Sequence, residues 1–409
     1  MPYSFQLTPR YFILLVLFMI NLVHIMISIF FQIPGNFLNL TFEGNIFWMN
    51  TGYFGLALIT CFCYPMIVRR LSLKTTLLVG LIFDMIGLSS IWLSVAVGGN
   101  LPLVLISTLT MGMALLTVVN CIITYLVIEF PQKLGIAIMS LFAFGSVGDM
   151  LANLFFNAFN ATRYNDGFFV LAMILLVVLI YFIATRFFDP PFPKHLEHLR
   201  RGTLIWKEFH YRIAFFMIAT IGYGLVESVF TIWGEVYLLQ YLTKALAVNT
   251  VSIFWFSMVI GQVLLLIPLY FIPARKIFPL LVIALIATIY FVERQTGLTG
   301  ITICFAIAGF TCAAMLPIIM SSMEKELITA SSLAHQHSFL PYVEIGTALL
   351  LGGYFLGVGL MDLYVLSVEG NALASETFFK WAIIVTAIIG LIILFLNWSS
   401  EDNKQERRR

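Results

Sequence analysis

IGYGLVESVFTIWGEVYLLQYL, residues 221–242, is long and apolar enough to cross a bilayer, yet it carries two glutamates, Glu227 and Glu235. A helix needs about 20 apolar residues to span the hydrocarbon core. A carboxyl group at its centre costs on the order of 2.5 to 3.5 kcal/mol on insertion scales, so it asks for a partner, a wet cavity or a job. At 100° per residue, Thr220, Tyr223, Gly224, Glu227, Thr231, Gly234 and Glu235 fall in one sector, a polar stripe on an apolar helix. By the helical rise, Glu227 lies roughly 22 Å along the axis from Arg212, and Glu235 roughly 12 Å further on. The two acids are therefore not equivalent. Glu235 falls near the outer interface, whereas Glu227 lies inside the membrane, where it either lines a cavity or hydrogen-bonds a neighbouring helix.

The rest of the chain has the same solvent. Of 409 residues, 61% are hydrophobic, 15% aromatic and only 10% charged, and the mean hydropathy is +1.00, far from the composition of a soluble globular domain. Twelve apolar runs meet the length criterion, at roughly 10–32, 46–68, 74–97, 102–128, 133–158, 166–188, 211–240, 248–271, 277–293, 298–323, 337–360 and 376–398. The first is too long for a signal-peptide core and lacks a small-residue cleavage site, so it reads as a retained span. All twelve are expected to be helices, because a lipid-exposed backbone must satisfy its own hydrogen bonds and no alternating barrel pattern is present. The longest polar stretch, DPPFPKHLEHLRRGTLIWKEFH at 189–210, follows the sixth span. The expected organisation is a six-helix bundle over 1–188, a linker over 189–210, a second six-helix bundle over 211–398 and a basic tail over 399–409.

Charge placement gives the orientation. Of the 22 basic residues, only Arg163, Lys244, Arg294 and Lys380 fall on one side of this topology, and the others flank the opposite side. The positive-inside rule then places both termini and the central segment in the cytoplasm. A net charge of +2 gives no reason to expect a nucleic-acid partner. Five cysteines, an odd number within apolar runs, predict buried free thiols.

Other spans carry polar faces of their own. In span five, FGSVGDMLANLFFNAF puts Gly145, Ser146, Asp149, Asn153 and Asn157 on one side, which suits a wet interface or tight helix packing. Thr117, Asn120 and Thr124 align in span four, and Asn21, His24 and Ser28 in span one. Asp84 lies between Gly80 and Gly87, a small-residue face that favours a structural role in close packing, and Glu344 in span eleven stands open between coupling and structure. His335 and His337, two apart, do not share a helix face, so no metal site is expected there.

Several motifs resemble one branch of the major facilitator superfamily, the fucose/proton and glucose symporter-like group with the related TsgA-like proteins. YGLVESVFTIWGEVYL resembles the pattern Y-x-G-x-E-x-x-x-x-x-W-x-x-x-Y-L, with Tyr223, Glu227, Trp233, Tyr237 and Leu238 in place. SIFWFSMVIGQ is similar to S-x-F-W-x-x-x-x-x-G-R, with Gln262 in the arginine position, and GFTCAAMLPIIMS to G-x-x-x-S-x-x-x-P-x-x-x-S, with Pro317 and Ser321 matching. GMALLTVVN in span four resembles a stretch ending in a cavity asparagine, here Asn120. The superfamily loop G-x-L-A-D-R-x-G-R-K becomes PMIVRRLSLK: Arg70 and Lys74 remain, while Pro65, Arg69 and Ser72 replace glycine, aspartate and glycine. Span one offers Asn21 and His24 where the sugar/proton symporters use an acid.

The resemblance implies an all-α fold of two pseudo-symmetric six-helix bundles whose cavity, at their interface, opens alternately to either side. It implies a secondary active transporter of a small polar organic solute, proton-coupled and monomeric. No phosphate-binding glycine loop, metal-ligand cluster or nucleophile with a base is present in the sequence, so no enzyme, cofactor or metal is expected, and short loops without extra domains suit a bacterial inner membrane. Glu227 is the first candidate for proton coupling, followed by Asp149, His24 and Glu344. A carboxyl group in a low-dielectric setting holds its proton more tightly, which suits it to take a proton from one side and release it on the other. Asn21, Asn120, Tyr223, Trp233 and Gln262 are candidate solute contacts, because amides and aromatic faces orient polar solutes in apolar surroundings. Arg69, Arg70 and Lys74 form the candidate cytoplasmic gate loop. Two rival classes remain: an exporter of amphipathic compounds, for which Phe- and Met-rich spans suit loose recognition, and a non-transporting membrane receptor or scaffold, for which the altered loop after span two is the argument.

Overall fold

The computed structural model describes residues 9–32, 46–97, 100–158, 164–184, 199–240, 242–295, 297–333, 340–367 and 375–406. Among these, all regular structure is helical. Ten spans are each one helix: Pro9–Gln32, Ile46–Leu71, Leu73–Ala96, Leu101–Glu129, Leu134–Ala158 and Tyr164–Ala184 for spans one to six, Lys244–Phe271 and Ala274–Val292 for eight and nine, and Leu340–Ser367 and Ser375–Glu406 for eleven and twelve. Among the described residues, eleven spans are long and apolar enough to cross a membrane, and the ninth contains a shorter apolar helix, Lys276–Val292. The chain is an integral membrane protein. None of its five cysteines forms a disulfide; Cys63 is half-buried and the rest are buried.

Spans seven and ten depart from the expected single rods. Span seven runs as Leu199–Thr231 and Trp233–Leu238, and span ten as Leu298–Cys312 and Met315–Leu333. The second break has a covalent cause. Pro317 has no N–H to give the carbonyl four residues back, and its ring crowds that carbonyl, that of Ala313. The first helix of span ten closes with Ala313 N donating to Gly309 O at 3.1 Å, and the second opens with Ile318 N donating to Ala314 O at 3.0 Å. The helix of span seven also begins at Leu199, so the second part of the polar stretch 189–210 is helical; His335 and His337 lie outside the described residues.

The chain forms two compact units, one of Met1–Tyr125 with Ala143–Phe192, the other of Leu126–Phe142 with Pro193–Arg409. Each is held by close approach of its own helices at matched glycines. In the first, a Cβ on Gly112 of span four would lie 2.5 Å from the Tyr53 carbonyl of span two, and one on Gly148 of span five 2.5 Å from the Leu22 carbonyl of span one. In the second, Gly309 of span ten meets the Phe254 carbonyl of span eight, and Gly357 of span eleven meets the Ile221 carbonyl of span seven. Small residues let backbones touch where lipid supplies no hydrophobic drive for association. The recurrence also aligns the two halves: Leu22 with Ile221, and Gly112 with Gly309.

The loop after span two carries a local strain. Ser72 has φ 73° and ψ 159°, a region essentially restricted to glycine, and glycine is what the superfamily pattern has there. Its hydroxyl caps span three, accepting from Thr75 N at 3.4 Å. Ser72→Gly is expected to raise stability by about 1 kcal/mol, the relieved strain exceeding the lost cap; a thermal-unfolding midpoint that falls would contradict this.

Candidate functional site

Span seven delivers Glu227 to the interior of the second unit, where its side chain is buried. One carboxyl oxygen accepts a hydrogen bond from the Tyr354 hydroxyl of span eleven at 2.7 Å, while Oε2 has no partner among the described residues. Tyr223, one turn earlier on the same face, lies beside this carboxyl. Its hydroxyl donates to the Cys312 carbonyl at 3.1 Å, the last residue before the break in span ten. The rings of Tyr223 and Tyr354 pack with centroids 5.8 Å apart. An acid is thus enclosed by two phenols contributed by spans seven and eleven, with a helix break beside it. Thr231, further along the stripe, turns its hydroxyl back to the Glu227 carbonyl at 3.2 Å, so it serves the helix rather than the acid.

Further polar groups of this unit are buried. Gln262 of span eight is fully buried, and neither end of its amide has a hydrogen-bond partner among the described residues. Trp233, just past the break in span seven, stacks on Phe378 at 4.5 Å and leaves its indole N–H without a partner. Leaving such a group unsatisfied costs about 1–3 kcal/mol. Glu344 is buried on span eleven. One turn on from it, Thr347 donates to Oε1 of Glu324 at 2.8 Å; Glu324, at the end of span ten, is fully buried with its other oxygen unpartnered. Glu324 was not among the sequence candidates, because EKE at 324–326 looks like a solvated helix end. The side chain of Glu235 lies outside the described residues.

The first unit holds the other candidates. His24 of span one, fully buried, sets Nδ1 2.6 Å from Oδ2 of Asp84 on span three and Nε2 3.0 Å from the Leu115 carbonyl of span four. Asp84 is fully buried, between glycines that pack span three on span four: a Cβ on Gly80 would lie 2.8 Å from Val118. The close packing read from its neighbours is present, and the histidine partner is the part the sequence did not reveal. Asn120 donates to the Cys61 sulfur at 3.3 Å while its carbonyl oxygen lacks a partner. Asn21 is buried against span five, where a Cβ on Gly145 would lie 3.2 Å from its amide nitrogen. Asp149 on span five is half-buried, and the side chains of Asn153 and Asn157 lie outside the described residues. Arg69 is half-buried and Arg70 exposed at the C-terminus of span two, where cations suit the helix dipole, and Lys74 lies 6.0 Å from the Phe182 ring.

A cleft of about 320 Å³ lies apart from these groups, lined by Ser257, Ile260, Ile303, Ala306, Ile307 and Phe310 of spans eight and ten. Its isoleucines are exposed, and its surface suits lipid tails rather than a polar solute.

No family model matches the sequence, and no curated protein matches it. Solved structures do. The fucose:proton symporter FucP of E. coli superposes with a TM-score of 0.76 at 12% identity, covering 95% of this chain and 99% of its own. A major facilitator superfamily transporter, FucP in the outward conformation, gives 0.70 at 14% identity, with 93% and 99% covered. The proton:xylose symporter XylE, bound to 6-bromo-6-deoxy-D-glucose, gives 0.71 at 12%, with 95% and 94% covered. The chain has the fold of the major facilitator transporters.

Proposed function

From this fold and the enclosed acid of span seven, we propose that the protein is a secondary active transporter that couples a small polar solute to protons by alternating access. The observation that carries the reading is Glu227: a buried carboxyl with one oxygen on the Tyr354 hydroxyl and the other without a partner among the described residues. Such a group can hold a proton as a neutral acid, and can release it where a hydroxyl stands ready to donate to the carboxylate. The solved structures that share this fold are described as sugar:proton symporters, so fucose and xylose head the solutes to test. Both termini face the cytoplasm in this reading, and the loop with Arg69, Arg70 and Lys74 closes the inward side.

The test is uptake into vesicles holding the purified protein, under an inward proton gradient, across fucose, xylose, amino acids and amphipathic drugs. Accumulation of one polar solute class supports the proposal. Movement of amphipathic compounds alone points to the exporter. Binding of a solute with no flux of any points to a receptor.

Gln262 supplies an independent check on the solute side. An amide buried without a partner among the described residues is suited to meet a water or a solute, since it otherwise weakens the fold. Gln262→Met keeps the volume and removes the orphan groups, so stability should rise by about 1–2 kcal/mol while solute affinity falls at least tenfold. Unchanged affinity would remove Gln262 from the solute site.

A further inference from the structure

The matched glycines place His24 and Tyr223 at equivalent positions, each two residues beyond the aligned Leu22 and Ile221. The same alignment makes Leu115 and Cys312 equivalent, each three residues beyond Gly112 and Gly309. The two units therefore repeat one hydrogen bond: a side chain of span one or seven donates to a carbonyl of span four or ten, His24 to Leu115 at 3.0 Å and Tyr223 to Cys312 at 3.1 Å. Each donor also faces a buried acid, Asp84 for His24 and Glu227 for Tyr223. The donor is different, an imidazole in one and a phenol in the other, but the plan is common. One side chain stands between an acid and a backbone carbonyl.

The proton count in the first unit follows from the acceptors. The Leu115 carbonyl can only accept, so a hydrogen bond to it requires a proton on Nε2 of His24. The 2.6 Å contact between Nδ1 and Oδ2 then requires one further proton between them, carried either by the imidazole or by the carboxyl. Loaded in this way, the pair is neutral overall and makes both bonds. Remove that proton and the neutral ring has a single N–H for two acceptors, the carboxylate and the carbonyl. One bond must be given up, and the charged carboxylate, as the stronger acceptor, keeps the ring proton. The bond that opens is the one between spans one and four.

We infer that His24 and Asp84 form a second proton-binding site, in the first unit, whose occupancy decides whether span one is tied to span four. The site takes one proton: binding it neutralises the buried pair and closes the tether, and releasing it leaves a carboxylate served by the Nδ1 proton and opens the tether. Among the described residues, the hydrogen-bond partners of the His24 ring are the Asp84 carboxyl and the Leu115 carbonyl, and that of the Asp84 carboxyl is the His24 ring. The other described charges on the neighbouring spans are Arg69, Arg70, Lys74, Glu129 and Asp166 at helix ends and the half-buried Asp149 on span five. Among the described residues Asp84 Oδ1 has no hydrogen-bond partner, so the His24 ring is what holds the carboxyl there. The site draws on Glu227 for its parallel alone, and its test needs no solute and no transport.

The test is nitrogen-15 NMR of histidine-labelled protein in lipid nanodiscs, with His24 assigned among the six histidines by its loss in His24→Gln. In the native protein the ring is expected to pass between two states as pH is raised from about 5 to 8, the range in which imidazole switches are used. At low pH, Nε2 carries its proton and the Leu115 carbonyl carbon shows a hydrogen-bonded shift. At high pH, the ring proton sits on Nδ1 and the Leu115 shift moves in the same step. Asp84→Asn should abolish the coupled step, and Glu227→Gln should leave it intact. Ring and carbonyl shifts that stay constant wherever the native protein remains folded would make the pair a permanent tether and overturn the inference. A coupled step that persists in Asp84→Asn would overturn the shared site as well. Loss of the step in Glu227→Gln would show that the proton belongs to the other unit.

Discussion

Glu227→Gln is expected to abolish proton-driven accumulation while leaving solute exchange across the membrane intact. The glutamine is isosteric, and its amide oxygen can still accept from the Tyr354 hydroxyl at 2.7 Å, so the site keeps its shape and loses only the capacity to release a proton. The size of the effect follows from the driving force. Each pH unit is worth 1.36 kcal/mol, so a gradient of about two units supports roughly a hundred-fold accumulation at one proton per solute. Without coupling, the solute only equilibrates, and the ratio falls to about one. Concentration ratios measured with and without the gradient check this. A variant that still concentrates solute against its gradient to the native level would remove Glu227 from the coupling role.

The second large effect concerns stability. Removing either member of a buried pair leaves its partner uncompensated, which costs about 3–5 kcal/mol. Single replacements His24→Leu and Asp84→Leu should each lower the folding stability on that scale. The double replacement should cost far less than their sum, because no lone polar group is left behind. Thermal unfolding of the three variants and the native protein gives the cycle. Strict additivity would mean that the 2.6 Å contact contributes no coupling. A double replacement that is stable and no longer shows the coupled titration would also separate the pair's structural contribution from its proton-binding one.

The architecture was legible because the bilayer imposes it. Length, hydropathy and the placement of basic residues each count spans independently, and they agree on twelve runs. Glu227 was legible too, since a charge at mid-span on a polar stripe is costly wherever it stands, and the fold encloses it with Tyr223 from the same stripe. Its hydrogen-bond partner, Tyr354, was not, because a tyrosine among apolar residues of span eleven has no periodic signal, and the pairing crosses 127 positions. The union of His24 with Asp84 crosses 60 positions and two helices, and each residue by itself looked like a different thing: a polar face in one span, a packing face in another. A charge balance would have hinted at it. A buried acid and a buried histidine are each expensive alone and cheap together. Glu324 was hidden by Lys325 and Glu326, which make a buried acid look like the start of a solvated loop. The break in span ten was foreshadowed by Pro317; that in span seven has no comparable residue, and Gly234, whose Cβ would lie 3.0 Å from Phe305, marks tight packing rather than a cause.

The most direct test of the account is the movement of protons with solute. The protein is reconstituted in vesicles with a pH-sensitive dye trapped inside, and a solute found in the uptake panel is added outside without any imposed gradient. The account predicts acidification of the interior as solute enters through the native protein, and none through Glu227→Gln although solute still exchanges. Solute entry through the native protein with no change in internal pH would contradict it.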